Sequence, residues 1–167
     1  MTKAERPRID LPATGLDKAL DAFSLAGVML IVALMVAVWD KLPARVPTHF
    51  GMSGPPDGWG ARSSLLLFVI APLVIHIVLT ILARFPWIYN YPTKVTLENA
   101  ERLYRLGAVA GRWLRTEMVW LFVILGWQTV RVALGQATGL PASGAFIGLG
   151  IMYATVIYLK VLMFRRR

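Results

Sequence analysis

Four apolar runs, each long enough to cross a bilayer as a helix, constrain this chain more than any other feature. A helix crossing ~30 Å of hydrocarbon at about 1.5 Å per residue needs about 20 mostly apolar residues. The runs cover 22–39 ("AFSLAGVMLIVALMVAVW"), 65–83 ("LLLFVIAPLVIHIVLTILA"), the less pure 114–133, and 145–164 ("AFIGLGIMYATVIYLKVLMF"). The expected fold is therefore all-α: an integral membrane four-helix bundle forming one transmembrane domain over 1–167. A chain 57% hydrophobic and 16% charged lies outside the range of soluble domains, about 45–50% and about 25%. The polar stretch before the first run lacks a cleavage-site pattern, so that run is expected to stay as a helix, with Thr14 and Asp17 as its start signal.

Four crossings place both termini and the loop 84–113 on one side of the membrane, and the loop 40–64 on the other. The first side collects Lys3, Arg6, Arg8 and Lys18, then Arg84, Lys94, Arg102, Arg105, Arg112 and Arg115, then Lys160 and Arg165, Arg166 and Arg167. The second has Lys41, Arg45, Arg62 and Arg131. Fourteen of the 18 cations thus share a side, and the positive-inside rule makes that side cytoplasmic, with both termini there. This places the chain as a multi-pass protein of a bacterial cytoplasmic membrane. The net charge of +9 is read as topogenic, so no nucleic-acid partner is expected. Lys160 and the terminal arginines serve as snorkelling anchors or as a site for anionic lipid.

Ahead of the third run, "TKVTLENAERLYRLGAVAGRWLRTE" has helical signals: Thr96 as an N-cap, and the pairs Glu98 with Arg102 and Glu101 with Arg105. An amphipathic cytoplasmic helix is expected there, lying at the interface and running into the third span. Within the spans, Glu117, Gln128 and Arg131 project within a sector of about 60°, Gln128 and Arg131 each within about 40° of Glu117, with Glu117 and Gln128 about 16 Å apart along the axis. Gln128 should face another helix, and Arg131 should reach the outer interface or a partner. His76, four residues after Pro72, is either a neutral hydrogen-bonded packing residue or a proton-active or ligating group. The small residues Gly144, Gly148, Gly150 and Ala154 allow close helix approach, within the chain or in a homo- or hetero-oligomer.

The chemistry available is narrow. There is no cysteine, and His49 and His76 are the whole histidine complement, one expected in the outer loop and one in the bilayer. No metal site and no cofactor are expected. Phosphate-loop, zincin and serine-hydrolase signatures do not occur, so the chain is not expected to be an enzyme.

The outer loop holds the most distinctive residues, "VPTHFGMSGPPDGWG" (46–60). Pro43, Pro47, Pro55 and Pro56 restrict its path, and Gly51, Gly54, Gly58 and Gly60 permit turns. Asp57 before Gly58 suits an Asx turn, Trp59 suits the headgroup layer, and Ser63 or Ser64 can cap the second span. That leaves His49, Asp57 and Arg62 as exposed groups. His49 and Asp57 can hydrogen-bond to each other or offer two ligands to a metal. The pair either closes the loop over the bundle or binds a ligand arriving from outside.

The stretch "LPARVPTHFGMSGPPDGWGARSS" (42–64) resembles the signature of domain-of-unknown-function family 1648. The matching elements are Pro47, His49 and Phe50, then Gly54, Asp57, Gly58 and Trp59, then Arg62. Downstream, "YNYPTKVTLENAERLYRL" is similar to the segment such proteins carry before their third span. The domain also forms the N-terminal part of SdpI-type immunity proteins, which protect their producer from a secreted peptide toxin. The resemblance implies recognition of an extracytoplasmic ligand such as a peptide. The chain departs from the pattern in having four spans and in reading His49-Phe50-Gly51 where the family has an asparagine third. An accessory or structural subunit of a larger membrane complex is the alternative role.

Overall fold

The computed structural model describes residues 5–140 and 142–165, with 142–145 described through their backbone alone. Lys3, Arg166 and Arg167 of the cation count, and the side of the small-residue stripe at Gly144, lie outside the described residues. The chain is mostly helical: α1 (Gly15–Val38), α2 (Leu67–Leu82), α3 (Ala100–Ala133) and α4 (Ala142–Phe164). Strands β1 (Arg45–Phe50) and β2 (Pro56–Ala61) pair antiparallel between α1 and α2. The all-α expectation thus holds for the apolar runs but not for the loop 40–64, which is a β-hairpin. Its alternation of Val46, Thr48 and Phe50 with Pro47 and His49 is short, and the surrounding prolines and glycines hid it.

Three segments are long and apolar enough to cross a membrane: Gly15–Lys41, Arg62–Leu82 and Phe146–Phe164. The chain is accordingly a multi-pass membrane protein. Its fourth helix, α3, has 34 residues, so it runs about 51 Å and overshoots ~30 Å of hydrocarbon. It packs against α1, α2 and α4, while α4 rests chiefly on α3. Outward side chains such as Met29 and Val36 on α1, Ile70 and Val74 on α2, and Ile147 and Ile151 on α4 are exposed apolar groups that suit a lipid surround. One end of the molecule carries the hairpin; the other gathers residues 5–14, the α2–α3 connection and the C-terminal end of α4.

Local chemistry explains the boundaries. α1 opens well before the expected Ala22 because Thr14 and Asp17 form a reciprocal cap: the Asp17 N–H donates to Thr14 Oγ1 (3.2 Å) and the Thr14 N–H to Asp17 Oδ2 (2.8 Å). Neither Ser63 nor Ser64 caps α2. A 3₁₀ turn over Arg62–Leu66 leads into it instead, and Leu66 holds the cap position without a side-chain bond. Thr96 is not the cap of α3 either; its N–H donates to Asn99 Oδ1 (2.8 Å) in the turn before the helix.

The expected surface pairs of Glu98 with Arg102 and Glu101 with Arg105 give way to longer-range bonds. Arg102 donates to the carbonyls of Leu162 (3.1 Å) and Met163 (3.4 Å) at the end of α4, and Arg105 to that of Pro12 (2.8 Å). Helix-terminal carbonyls have no intrahelical donor, so a guanidinium does more there than in an exposed i, i+4 pair worth ~0.3–0.5 kcal/mol. The first half of α3 therefore packs against other parts of the chain. Leu103 and Tyr104 are fully buried there, with Ile9, Leu11, Trp87, Tyr91 and Met163 packed around them.

Candidate functional site

Two polar constellations stand out, one at each end. At the hairpin end, Val46 and Leu65 join Met35, Leu42 and Val130 in a core that anchors the hairpin to the helices. Pro47 is buried beside them, and Phe50 is half-buried. The register pairs Pro47 with Trp59, His49 with Gly58 and Phe50 with Pro56, with irregularities on both sides of His49. Such bulges re-aim side chains. Here the result is that His49 Nδ1 meets Asp57 Oδ1 at 2.5 Å, with the two side chains 73% and 55% exposed. Gly58 makes room for this, since a Cβ there would stand 2.9 Å from the His49 Cβ. Gly54 holds the hairpin tip at φ 105°, where its carbonyl accepts from the Leu140 N–H (2.9 Å) and ties the tip to the α3–α4 connection.

Arg62 does not join the pair. Its guanidinium lies over the Trp39 ring, 5.2 Å from the centroid, and so fastens the hairpin exit to the end of α1. Trp59 is about half exposed on β2. Beneath the hairpin lies a cavity of about 430 Å³, reaching from His49 and Thr48 past Ser64 and Phe68 to Thr129 on α3. His49 and Asp57 supply two donor groups, and among the described residues no third His, Asp or Glu joins them in a metal-sized cluster.

The second constellation was not assembled from the sequence. Near the other end of the bundle, Arg115 of α3 is 1% exposed, and it donates to Asp21 Oδ1 of α1 (2.5 Å) and to Thr80 Oγ1 of α2 (2.6 Å). One helical turn further out, Arg112 lies 3.3 Å from both Asp17 and Asp21, and Arg105 lies 3.9 Å from Asp17. One turn further in, His76 Nδ1 meets Ser24 Oγ at 2.8 Å, so His76 is a hydrogen-bonded interhelical residue. The His76 carbonyl also accepts from Thr80 Oγ1 (2.5 Å), and Thr116 Oγ1 donates to the carbonyl of Arg112 (2.8 Å). This layer pins three helices together with groups that would be costly in lipid if unpaired.

The other intramembrane candidates stand apart from it. Glu117 accepts from Thr155 of α4 (2.6 Å). Gln128 does not bond across to another helix; its contact is with Arg131 on its own helix (3.5 Å), and Arg131 also reaches the Gln136 carbonyl (3.5 Å) at the hairpin end. Outside the spans, burial raises the phenol pKa values of Tyr89 and Tyr91. Both remain neutral donors, Tyr89 to the Leu82 carbonyl and Tyr91 to that of Pro86 (2.8 Å each).

Residues 25–75 match the model of the domain of unknown function DUF1648. The match takes in most of α1, the whole hairpin and the first half of α2, and stops short of the Tyr89–Leu106 stretch. An uncharacterized protein of Archaeoglobus fulgidus is 37% identical over 89 residues, which is 48% of this chain and 49% of the relative. The chain thus spans about half the length of the curated relative it matches. No solved structure matches it.

Proposed function

From a membrane protein carrying a DUF1648 segment, we propose that the hairpin faces the extracytoplasmic side and recognises a ligand there, a secreted peptide being the class that fits an SdpI-like immunity role. The observation that carries the reading is the exposed His49–Asp57 pair at the rim of the 430 Å³ cavity, which is of ligand size and mixes hydroxyls with aromatic walls. A two-stranded sheet also leaves strand edges for a peptide backbone to pair with. The cation excess at the termini end supports cytoplasmic termini. The reading assigns the chain recognition and no catalysis.

The test is tolerance. Cells expressing the chain are challenged with a panel of secreted peptide toxins, and a toxin that wild type protects against is re-tested on the His49→Ala/Asp57→Ala variant at matched membrane levels. Protection should fall to that of the empty vector; unchanged protection would sink the site.

A second reading, an accessory subunit of a larger complex, is favoured by α4, which rests chiefly on α3 and leaves Phe146, Ile147, Ile151, Tyr153 and Ile157 uncovered. Purification in gentle detergent that always yields the lone chain would refute it.

A further inference from the structure

At the termini end, residues 8–11, the end of α2 and the Arg105–Arg112 turns of α3 enclose a cavity of about 410 Å³. Arg8, Arg84, Arg105 and Arg112 line it, against Asp10 and Asp17. Behind its wall sits the buried Arg115, paired with the part-exposed Asp21. Among these groups five arginines face three aspartates, an excess of two positive charges.

The arginines divide into two kinds. Arg105 and Arg112 are held by Asp17 and Asp21, yet the contacts of Arg112 are long: its Nη1 stands 3.3 Å from Asp17 and its Nε 3.3 Å from Asp21. Arg84 makes no ion pair among the described residues, and Arg8 contacts the Trp87 ring at 5.9 Å instead of a carboxylate. Two arginines at a cavity mouth, with a third guanidinium in its wall, suit an acceptor with several oxygens and negative charge.

We propose that this cavity binds a phosphate group, with Arg8 and Arg84 closing on it at the mouth and Arg112 meeting it inside. Ile9, Leu11 and Trp87 give the rim an apolar side, and the cavity lies where α2, an apolar segment long enough to span a bilayer, ends. Phosphate chemistry at the end of a span has two sources, an anionic lipid headgroup or a soluble phosphate.

The experiment uses the purified full chain in nonionic detergent with two probes. Inorganic phosphate is titrated by calorimetry, and retention of phosphatidylglycerol against phosphatidylcholine is read by native mass spectrometry. At least one probe should bind saturably at one per chain: phosphate uptake identifies a soluble ligand, and selective phosphatidylglycerol retention a lipid. The Arg8→Gln/Arg84→Gln variant, which breaks no ion pair and so keeps the fold, should bind at least tenfold more weakly. Lys160→Gln/Arg165→Gln, at the end of α4, should bind as wild type. Absence of saturable binding of both probes, wild-type affinity in the Arg8/Arg84 variant, or an equal loss in the Lys160/Arg165 variant would each overturn the proposal.

Discussion

Removing Asp21 should harm the protein more than removing the arginine it pairs with. In Asp21→Ala, Arg115 stays 1% exposed and keeps its charge, but its carboxylate is gone and Thr80 Oγ1 is a neutral substitute. Breaking a buried pair from one side costs about 3–5 kcal/mol. Asp21 is itself 42% exposed, so solvent can partly follow the change, which places the expected loss near the lower end, about 3 kcal/mol. In Arg115→Met the buried charge disappears with its partner left half in solvent and still 3.3 Å from Arg112, so the loss should be about 1 kcal/mol, that of an ordinary hydrogen bond. The double variant should then resemble Arg115→Met, because the stranded charge is what makes Asp21→Ala costly. Unfolding in micelles by sodium dodecyl sulfate titration, followed by circular dichroism, measures all three. If Asp21→Ala were no less stable than Arg115→Met, or if the double variant were as unstable as Asp21→Ala, the argument that Arg115 is held as a buried ion would be refuted.

Three further outcomes are expected. Ser24→Ala should cost about 1–2 kcal/mol by stranding the His76 ring nitrogen, and His76→Leu in the same chain should recover part of it in the same titration, since no buried polar group is then left alone. Gly54→Ala, at φ 105° with the Leu140 carbonyl 2.6 Å from the new Cβ, should cost about 1–3 kcal/mol locally and speed proteolytic nicking of the hairpin tip, with the helices unaffected. Because the chain has no cysteine, Leu121→Cys/Gly148→Cys should cross-link under mild oxidation, the added Cβ at 148 being 3.1 Å from Leu121 Cδ1, and Leu121→Cys/Gly150→Cys should not.

Helix positions were legible because hydrophobic length is a strong signal, and His49 with Asp57 were legible because few residues in so apolar a chain bear usable chemistry. The hairpin was obscured: two short strands rich in proline and glycine carry little pattern, and their pairing depends on Val46 and Leu65 finding a core formed by distant helices. The polar layer was missed for a different reason. Asp17, Asp21 and Ser24 on α1, His76 and Thr80 on α2, and Arg112, Arg115 and Thr116 on α3 each follow helical spacing and define one face. Taken segment by segment, Asp17 reads as a cap, His76 as a packing histidine and Arg112 and Arg115 as loop cations, and Asp21, Ser24, Thr80 and Thr116 carry no signal of their own. Compared at equal depth across three helices, they would have pointed at one another.

That layer also bears on orientation. Arg105, Arg112 and Arg115 count toward the positive-inside excess, yet in the folded chain they are engaged with Asp17 and Asp21. Discounting them leaves eleven cations at the termini end against four at the hairpin end, so the bias survives on groups outside the layer. The two roles also act at different stages, since orientation is set as segments insert and the ion pairs form only when α1 and α3 meet. Removing Arg105, Arg112 and Arg115 together should therefore weaken helix packing while leaving the hairpin on the same side. A single cysteine replacing Ser53, probed with a membrane-impermeant maleimide on intact cells, reads the side directly. Labelling in wild type that is lost in the triple variant would show that these arginines set the orientation, and the separation of roles argued here would fail.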